Sequence, residues 1–450
     1  MQTRLLADYV CDIRYSGLSE RVRDAARKTV LDLIGVAIAG AVTPQAEIWR
    51  KYFLADVTTG PCANVWQPNF ATSSFRQAAA FNAAVGHILD FDDVHNKSIA
   101  HLGVVTVPAA LAVAQSRRLG GRTLIESITA GFEIGARVGY SINPGSYRIW
   151  HTTGVVGALC SAAATGKLIG LDKDGMLNAF GSAGTQASGL WEFMADSAMS
   201  KPLHTANATM CGIRSAELAA LGLTGASRIL EGDQGLLRAL DTQYRPELLV
   251  EGLGSEYLIA DNSFKLYPCC RHTHSGIYSM EKLIATHSPN LSDIVKIVDR
   301  TYSAAKDVTD RADASTPYAC KFSMQYCLSA VLARGRFESC IFDDDAVNDP
   351  VVRGIMQKVE VVDDPAIDAE LARDPACWSN TVEVTLCDGR VLTESTDYPP
   401  GDSHTNLSWD AATEKFHSLT DELIGRERAL QLADKIGSLD DLDDVNRLFG

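Results

Sequence analysis

The sequence predicts a mainly α-helical protein: one large all-helical domain, with a smaller α+β lid domain inserted into it. Apolar residues recur at helical spacing from the N-terminus to about residue 262. Valine-rich runs of strand length follow that point, and after residue 400 the chain becomes helical and polar again. We therefore expect a discontinuous helical domain, residues 1–262 with 400–450, and a lid domain at residues 263–399.

Periodicity and end signals define the helices of the first domain. A helix is predicted from Ser19, which can cap its start, to Gly40, which suits its end. Residues 43–73 contain three prolines and are predicted to be irregular. Further helices, all rich in alanine and glycine, are predicted at 74–90, 104–119, 124–141, 152–169, 173–190 and 205–221.

Strands and helices alternate in the predicted lid domain. Strands are predicted at 295–303, 359–362 and 381–386, helices at 269–287 and 319–334, and tail helices at 409–419 and 422–435. The pair Asp388-Gly389 predicts a β-hairpin, because it tolerates the positive φ angles of a type I′ turn. We expect a cleft between the two domains, which is a common position for a ligand site.

Composition narrows the class of protein. Hydrophobic residues make up 46% and charged residues 22%, as in soluble globular proteins, and the net charge of −15 disfavours a nucleic-acid partner. The N-terminus lacks an apolar signal segment, and the longest apolar run, residues 33–39, is too short to span a membrane. Eleven cysteines without a CxxC pair indicate reduced thiols. We expect a cytoplasmic protein that binds neither nucleic acid nor membrane.

The densest group of reactive side chains lies between two apolar helices. Within fifteen residues it holds His87, Asp90, Asp92, Asp93, His95 and His101. Carboxylates and imidazoles cost free energy when they leave water, so such a cluster indicates a metal, proton transfer or a hydrogen-bonded loop. A metal site could use His87, Asp90, Asp93, His95 and His101. The pair Asp92-Asp93 also weakly resembles the magnesium motif of helical terpenoid synthases, so a prenyl-diphosphate enzyme is an alternative.

Two further clusters precede predicted helices. His151 lies at the start of an Ala-rich helix that Thr152 or Thr153 could cap. A helix N-terminus disfavours the imidazolium, so His151 could act as a neutral base; the alternative is a buried histidine bonded to backbone. In Lys201-Pro202-Leu203-His204, Pro202 can start a helix, and Lys201 is either a carboxylate receptor or a solvated lysine.

Lys265, Cys270 and His274 belong to a fourth cluster, in which cationic side chains precede and open a predicted helix near Pro268. The free N–H groups of a helix start add to the positive potential, so we expect these residues to bind substrate. A charged helix start at the surface is the alternative. A fifth cluster, residues 319–326, is predicted to be the structural start of a lid helix. No Walker loop, GxGxxG or GxSxG motif is present.

The order of these motifs resembles the MmgE/PrpD family nearly end to end. The resemblance is carried by His87-x-x-Asp90-Phe91-Asp92-Asp93, His101, Lys201-Pro202-Leu203-His204, Glu231-Gly232-Asp233-Gln234-Gly235, Lys265-x-Tyr267-Pro268 and Lys321-Phe322-Ser323. That family includes 2-methylcitrate dehydratase, cis-aconitate decarboxylase and iminodisuccinate epimerase. The resemblance implies an all-α domain, an α+β lid, a homodimer, and catalysis without a metal or cofactor.

The resemblance also implies a reaction and roles for residues. Asp90, His101, His151, Lys201 and Lys265 match positions around the substrate in the decarboxylase branch. His101 and His151 would be the acid/base pair, Asp90 would orient a histidine, and the two lysines would hold carboxylates. His87, Asp92, Asp93 and His95 are then expected to have structural or supporting roles.

The function implied is a metal-independent, dehydratase-like lyase that abstracts a proton next to a carboxylate of a small di- or tricarboxylate. An epimerase or isomerase, a decarboxylase, and a catalytically silent binding protein are the alternatives. Val94 stands where the decarboxylase has threonine, and Leu102 replaces the usual proline. Cys270 stands where the decarboxylase has histidine and the dehydratases an acidic residue. The resemblance therefore leaves the particular reaction open.

Overall fold

Helices dominate the computed structural model, which describes residues 1–55, 60–196 and 198–450. Helix accounts for 61% and strand for 9%, so the prediction of a mainly α-helical protein is confirmed. The chain divides into two units. The first comprises Met1–Phe264 and Leu407–Gly450, and the second comprises Lys265–Asn406.

The N-terminal part of the first unit is helical apart from two short strands. Its elements are α1 (Gln2–Asp12), α2 (Glu20–Gly40), α3 (Pro44–Phe53), β1 (Cys62–Asn64), β2 (Thr72–Ser74), α4 (Phe75–Ile88), α5 (Gly103–Arg117), α6 (Gly121–Ile142), α7 (Thr152–Ile169), α8 (Lys173–Gly184), α9 (Phe193–Asp196), α10 (Lys201–Ala220) and α11 (Leu236–Leu240). The expected cap of α2 is confirmed, because the Ser19 side chain accepts a hydrogen bond from the Val22 amide.

Several predictions in this part were wrong in detail. Residues 43–73 are not irregular throughout. Thr43 caps α3, Pro44 occupies the first turn of that helix, and β1 pairs antiparallel with β2. Residues 56–59 of this segment lie outside the described ranges. Helix α8 ends at Gly184 instead of residue 190. Helix α10 begins at Lys201 instead of residue 205, because Pro202 suits the first turn. Helix α1 was not predicted.

Helix α7 lies at the centre of the first unit. It packs against α5, α6, α8 and α10, and it spans the predicted range. Within the described part of the chain it is also the helix that is long and apolar enough to cross a membrane; the bent pair α2 and α3 passes the same test if counted as one span. Because 89% of α7 is buried inside the fold, its apolar composition is that of a core helix.

The second unit combines helices with a four-stranded sheet. Its elements are α12 (His274–His287), β3 (Ile294–Thr301), α13 (Ser303–Thr309), α14 (Pro317–Cys320), α15 (Met324–Arg334), α16 (Asp344–Val347), α17 (Pro350–Met356), β4 (Val359–Asp363), α18 (Pro365–Arg373), β5 (Asn380–Leu386) and β6 (Val391–Thr396). The strand order is β4-β3-β5-β6, with only the β3–β4 pair parallel. The predicted hairpin joins β5 to β6, and Gly389 there has a φ of +86°. Asp388 does not have a positive φ, so the expected type I′ turn was wrong.

Two helices of the second unit differ from the prediction. The helix expected at 269–287 begins at His274, after a short 3₁₀ turn at Arg271–Thr273, so the expected helix start near Pro268 was wrong. The helix expected at 319–334 is divided into α14 and α15. The division follows from Ser323, whose side chain caps α15 by accepting from the Tyr326 amide.

The C-terminal tail returns to the first unit as α19 (Trp409–Ile424) and α20 (Arg426–Gly437). Lys415 of α19 is buried, and its Nζ lies 2.6 Å from Asp32 Oδ1 of α2 and 2.8 Å from the carbonyl oxygen of Phe91. The tail therefore contacts both α2 and the segment between α4 and α5 that carries the reactive cluster.

Replacing Lys415 with methionine is expected to lower the free energy of unfolding by about 3 kcal/mol, because the buried carboxylate of Asp32 would lose its counter-charge. Urea unfolding followed by tryptophan fluorescence measures the change. Lys51→Met is the matched control, since Lys51 is exposed and expected to contribute less than about 0.5 kcal/mol. Equal stability of the Lys415 and Lys51 variants would contradict the assignment.

Candidate active site

The segment between α4 and α5 folds into a tight, buried turn. Asp90 has a φ of +53°, a left-handed conformation that aspartate adopts more readily than most residues. His87, Asp90, Asp92 and His101 each offer one atom to a group whose members lie within 4.8 Å of one another. A polar cluster that is continuous in sequence is therefore also continuous in space.

Asp92 bridges two histidines at the centre of this group. Its carboxylate oxygens lie 2.9 and 3.0 Å from His87 Nδ1, and Oδ2 lies 3.3 Å from His101 Nδ1. Burial alone would raise the pKa of Asp92, but its interactions with His87 and His101 hold that pKa well below the ordinary value. Burial is also the main reason why the pKa of His87 falls to about 4. An ionised carboxylate thus lies beside a neutral imidazole.

Asp90 pairs with Lys201, the first residue of α10. Lys201 Nζ lies 2.8 Å from Asp90 Oδ1, and both side chains are buried. His101 Nε2 lies 4.0 Å from the same oxygen. The hydrogen bond expected to orient a histidine is therefore made by Asp92, while Asp90 holds the lysine.

Asp93 faces away from this group. Its Oδ2 accepts hydrogen bonds from the Gly103 amide at 3.1 Å and from Asn262 Nδ2 at 2.9 Å. Burial, followed by the charges of Asp92 and Asp32, raises the pKa of Asp93 to about 8. A Cβ atom at position 103 would lie 2.2 Å from Asp93 Oδ1, so glycine is required there. Asp93 is therefore a neutral, structural carboxyl group at pH 7.

His151 lies at the N-terminus of α7 as predicted, but neither threonine caps that helix. Thr153 Oγ1 instead accepts a hydrogen bond from the His101 amide at 2.9 Å. His151 Nδ1 lies 3.0 Å from His204 Nδ1, and its ring lies nearly parallel to that of His87 with centroids 5.6 Å apart. Burial, followed by the proximity of His204 and Lys201, holds the pKa of His151 well below its ordinary value. His151 is therefore a neutral imidazole near pH 7.

The fold thus connects the four residues predicted to be catalytic. Asp90 contacts Lys201 directly, and the ring of His87 lies between those of His101 and His151, at centroid distances of 4.8 and 5.6 Å. Sequence reasoning gave His87 and Asp92 only supporting roles, although they connect the group. The sequence signal for these two residues was the high density of histidines and aspartates between two apolar helices.

The other cluster residues have separate partners. His95 Nδ1 lies 2.9 Å from Ser98 Oγ, which fits a structural role. Lys265, Cys270 and His274 belong to the second unit, where all three are buried. There the Cys270 amide donates to the Lys321 carbonyl at 2.9 Å, and His274 Nε2 lies 3.4 Å from the Cys269 carbonyl. Substrate binding by these three residues stays a prediction.

The spacing of the side chains of His87, Asp90, Asp92 and His101 would suit a metal ion, but the groups that surround them are less suitable for a metal site. The Lys201 ammonium lies 2.8 Å from Asp90 Oδ1, where it would repel a divalent cation. Asp93 and His95, named in the sequence-based metal set, have the separate partners described above. Metal-independent chemistry stays a prediction.

The raised pKa of Asp93 has a consequence for stability. Between about pH 4 and pH 8 the folded protein keeps a proton that the unfolded chain releases, so this contribution to stability falls as pH rises through that window. Asp93→Asn should remove this contribution to the slope, so the variant should gain about 1 kcal/mol per pH unit relative to wild type from about pH 5 to pH 8. Urea unfolding at several pH values measures it. Asp233→Asn changes an exposed carboxylate and should keep the wild-type dependence of stability on pH. If Asp93→Asn also keeps that dependence, Asp93 is not protonated in the folded protein.

Neutral imidazoles beside a buried ammonium–carboxylate pair are the groups that an acid–base enzyme uses. Comparison with models of known protein families identifies the family of this chain. Residues 4–249 match the MmgE/PrpD N-terminal domain, and residues 267–440 match the MmgE/PrpD C-terminal domain. The chain therefore belongs to the MmgE/PrpD family, as the order of its motifs predicted.

Several relatives of the chain are lyases. The chain is 27% identical to the cis-aconitate decarboxylase of Aspergillus terreus, over 99% of this chain and 95% of the relative. It is 28% identical to the cis-aconitate decarboxylase of Homo sapiens, over 99% and 93%. The mitochondrial 2-methylcitrate dehydratase of Yarrowia lipolytica is 33% identical, but only over 24% of this chain and 22% of the relative.

Proposed function

We propose that this protein is a lyase that acts on a small tri- or dicarboxylate and breaks a bond next to a carboxylate-bearing carbon. The buried Lys201–Asp90 pair, set among the rings of His87, His101 and His151, is the observation that carries the proposal. The end-to-end similarity to cis-aconitate decarboxylases supports a tricarboxylate as the substrate class.

Lys201 supplies the positive charge that this chemistry needs. Breaking the bond leaves an electron pair on carbon, which spreads into the adjacent carboxylate and builds negative charge on its oxygens. A preorganised ammonium in a water-poor site stabilises such charge more strongly than it would in water. Asp90 keeps the buried ammonium in place by a 2.8 Å hydrogen bond.

The histidines supply the acid/base groups. His101 Nδ1 lies 2.8 Å from the carbonyl oxygen of Asp93 and 3.3 Å from the Asp92 carboxylate. Both neighbours can only accept hydrogen bonds, so His101 carries a proton on Nδ1 and its Nε2 is the nitrogen that can exchange protons with a substrate. Neutral His151 is the second acid/base group, as the resemblance implied.

Loss of carbon dioxide is the better supported of two possible reactions, because the similarity to decarboxylases covers 99% of the chain. In that reaction a carbon–carbon bond breaks, carbon dioxide leaves, and the remaining carbanion receives a proton that a histidine Nε2 has first taken up from solvent. Elimination of water is the second candidate, although the sequence alone favoured it. It is supported by the 33% identity to a dehydratase. There a histidine takes the proton next to a carboxylate, and hydroxide leaves with a proton from the enzyme.

Purified protein incubated with cis-aconitate, citrate or 2-methylcitrate is expected to form a product visible by NMR, with carbon dioxide released from cis-aconitate. Activity should survive EDTA, whereas EDTA-induced loss that one divalent metal reverses would favour a metal-dependent enzyme. In heavy water, deuterium incorporation without net cleavage would identify an epimerase instead. If the protein shows no turnover and no exchange with any of the polycarboxylates, the proposal is refuted.

Replacing Lys201 with methionine is expected to lower kcat/KM by at least about 100-fold, because the charge that stabilises the carbanion is lost. Lys201→Arg keeps the charge and should retain more activity than the methionine variant. Lys97→Met is the matched control, since Lys97 pairs with Asp261 at 3.4 Å in the same unit. Circular dichroism checks folding, and wild-type turnover in a folded Lys201→Met variant would contradict the role.

A further inference from the structure

His204 is a part of the Lys201-Pro202-Leu203-His204 motif to which the proposed function gives no role. Its Nδ1 lies 3.0 Å from His151 Nδ1, and its side chain is half-buried, whereas His151 is fully buried. We propose that His204 is a positioning residue that selects the tautomer of His151. In this arrangement His151 donates from Nδ1 to His204 Nδ1, and its Nε2 is left unprotonated as the base. The inference rests on the proposed function, in which His151 exchanges a proton with substrate.

The contact between the two Nδ1 atoms restricts both rings. A neutral imidazole has one N–H donor and one acceptor nitrogen. Two Nδ1 atoms at 3.0 Å form a hydrogen bond only if one carries hydrogen and the other does not. The tautomer of one ring therefore determines the tautomer of the other.

The surroundings of His151 decide which ring donates. His151 Nε2 is buried and has no hydrogen-bond partner among the residues that the structure describes. A proton on Nε2 would be an unsatisfied buried donor, which folded proteins avoid more strongly than an under-used acceptor. The titratable groups around the ring are Lys201, His204, His87 and His101, and the positive charge of Lys201 favours a lone pair over an added proton. The proton of His151 therefore belongs on Nδ1.

Two glycines make room for the His204 ring. A Cβ atom at position 154 would lie 3.0 Å from His204 Cβ and 2.6 Å from the Ser188 carbonyl oxygen. Gly189 has a φ of +130°, and a Cβ atom there would lie 3.3 Å from His204 Nδ1. The Gly189 carbonyl also accepts the His151 amide at 3.0 Å. The backbone that holds His151 is thus shaped around His204.

The spacing within α10 explains why one helix can serve both groups. His204 follows Lys201 by three residues, so both side chains lie on one face of the helix. Lys201 contacts Asp90, and His204 contacts His151. One helix face therefore sets both the charge and the acid/base state of the site.

Three variants test the proposal with the full-length protein. His204→Ala should lower kcat by about 100-fold with KM changed less than about threefold, because His151 loses the acceptor that sets its tautomer. His204→Asn places an amide oxygen near the Nδ1 position and should retain activity within about tenfold of wild type. His417→Ala removes a half-buried histidine that bonds Asp421 and should behave as wild type.

Two further measurements distinguish a positioning role of His204 from a merely structural one. Added imidazole should restore part of the His204→Ala activity, and the pH profile of kcat should change in His204→Ala but not in His417→Ala. Equal losses in the alanine and asparagine variants, without rescue, would overturn the proposal. Melting temperatures show whether a loss reflects unfolding.

A tautomer measurement keeps this inference separate from the proposed reaction. In protein labelled with ¹⁵N-histidine, the His151 signals, assigned with a His151→Asn variant, should show Nδ1 protonated and Nε2 unprotonated. This result is expected even if no polycarboxylate is turned over, in which case the proposed function alone fails. A proton on Nε2 of His151 in the wild-type protein would overturn the inference whatever the activity.

Discussion

Burial of three aspartates within four residues is the constraint on which the site depends. Each charge or polar group removed from water needs a partner or must lose its charge. Asp90 pairs with an ammonium, Asp92 is ionised between two imidazoles, and Asp93 is held neutral by burial and by its acidic neighbours. Three identical side chains thus have three different surroundings, and only the first two face the reactive group.

The rest of the first unit supports this arrangement from several sides. Lys415 of α19 holds the Phe91 carbonyl, and Asn262 holds Asp93. Val94 exchanges backbone hydrogen bonds with Ser263 at 2.8 and 2.9 Å. The cluster segment is therefore bonded to parts of the chain far away in sequence, which gives its side chains defined positions. Preorganisation of this kind is what charge stabilisation in an active site requires.

Local patterns were sufficient for much of the fold. The bounds of α7, the cap at Ser19 and the Asp388-Gly389 hairpin were all predicted, because each depends on residues that are neighbours in sequence. The failures were also local: Pro44 was not used as a helix start, the helix that begins at Lys201 was placed four residues too late, and the 3₁₀ turn before His274 was not expected. Proline both ends and begins helices, so its position alone does not distinguish the two.

The sequence by itself determined the helical class, the family, and the residue types available at residues 86–103, His151 and Lys201. Only the tertiary structure decided which partner each group has. That Asp92 orients the histidines, that Asp93 is neutral, and that His204 contacts His151 across 53 positions cannot be read from spacing. The physical reason is that protonation and hydrogen bonding depend on burial and on neighbours brought together by helix packing.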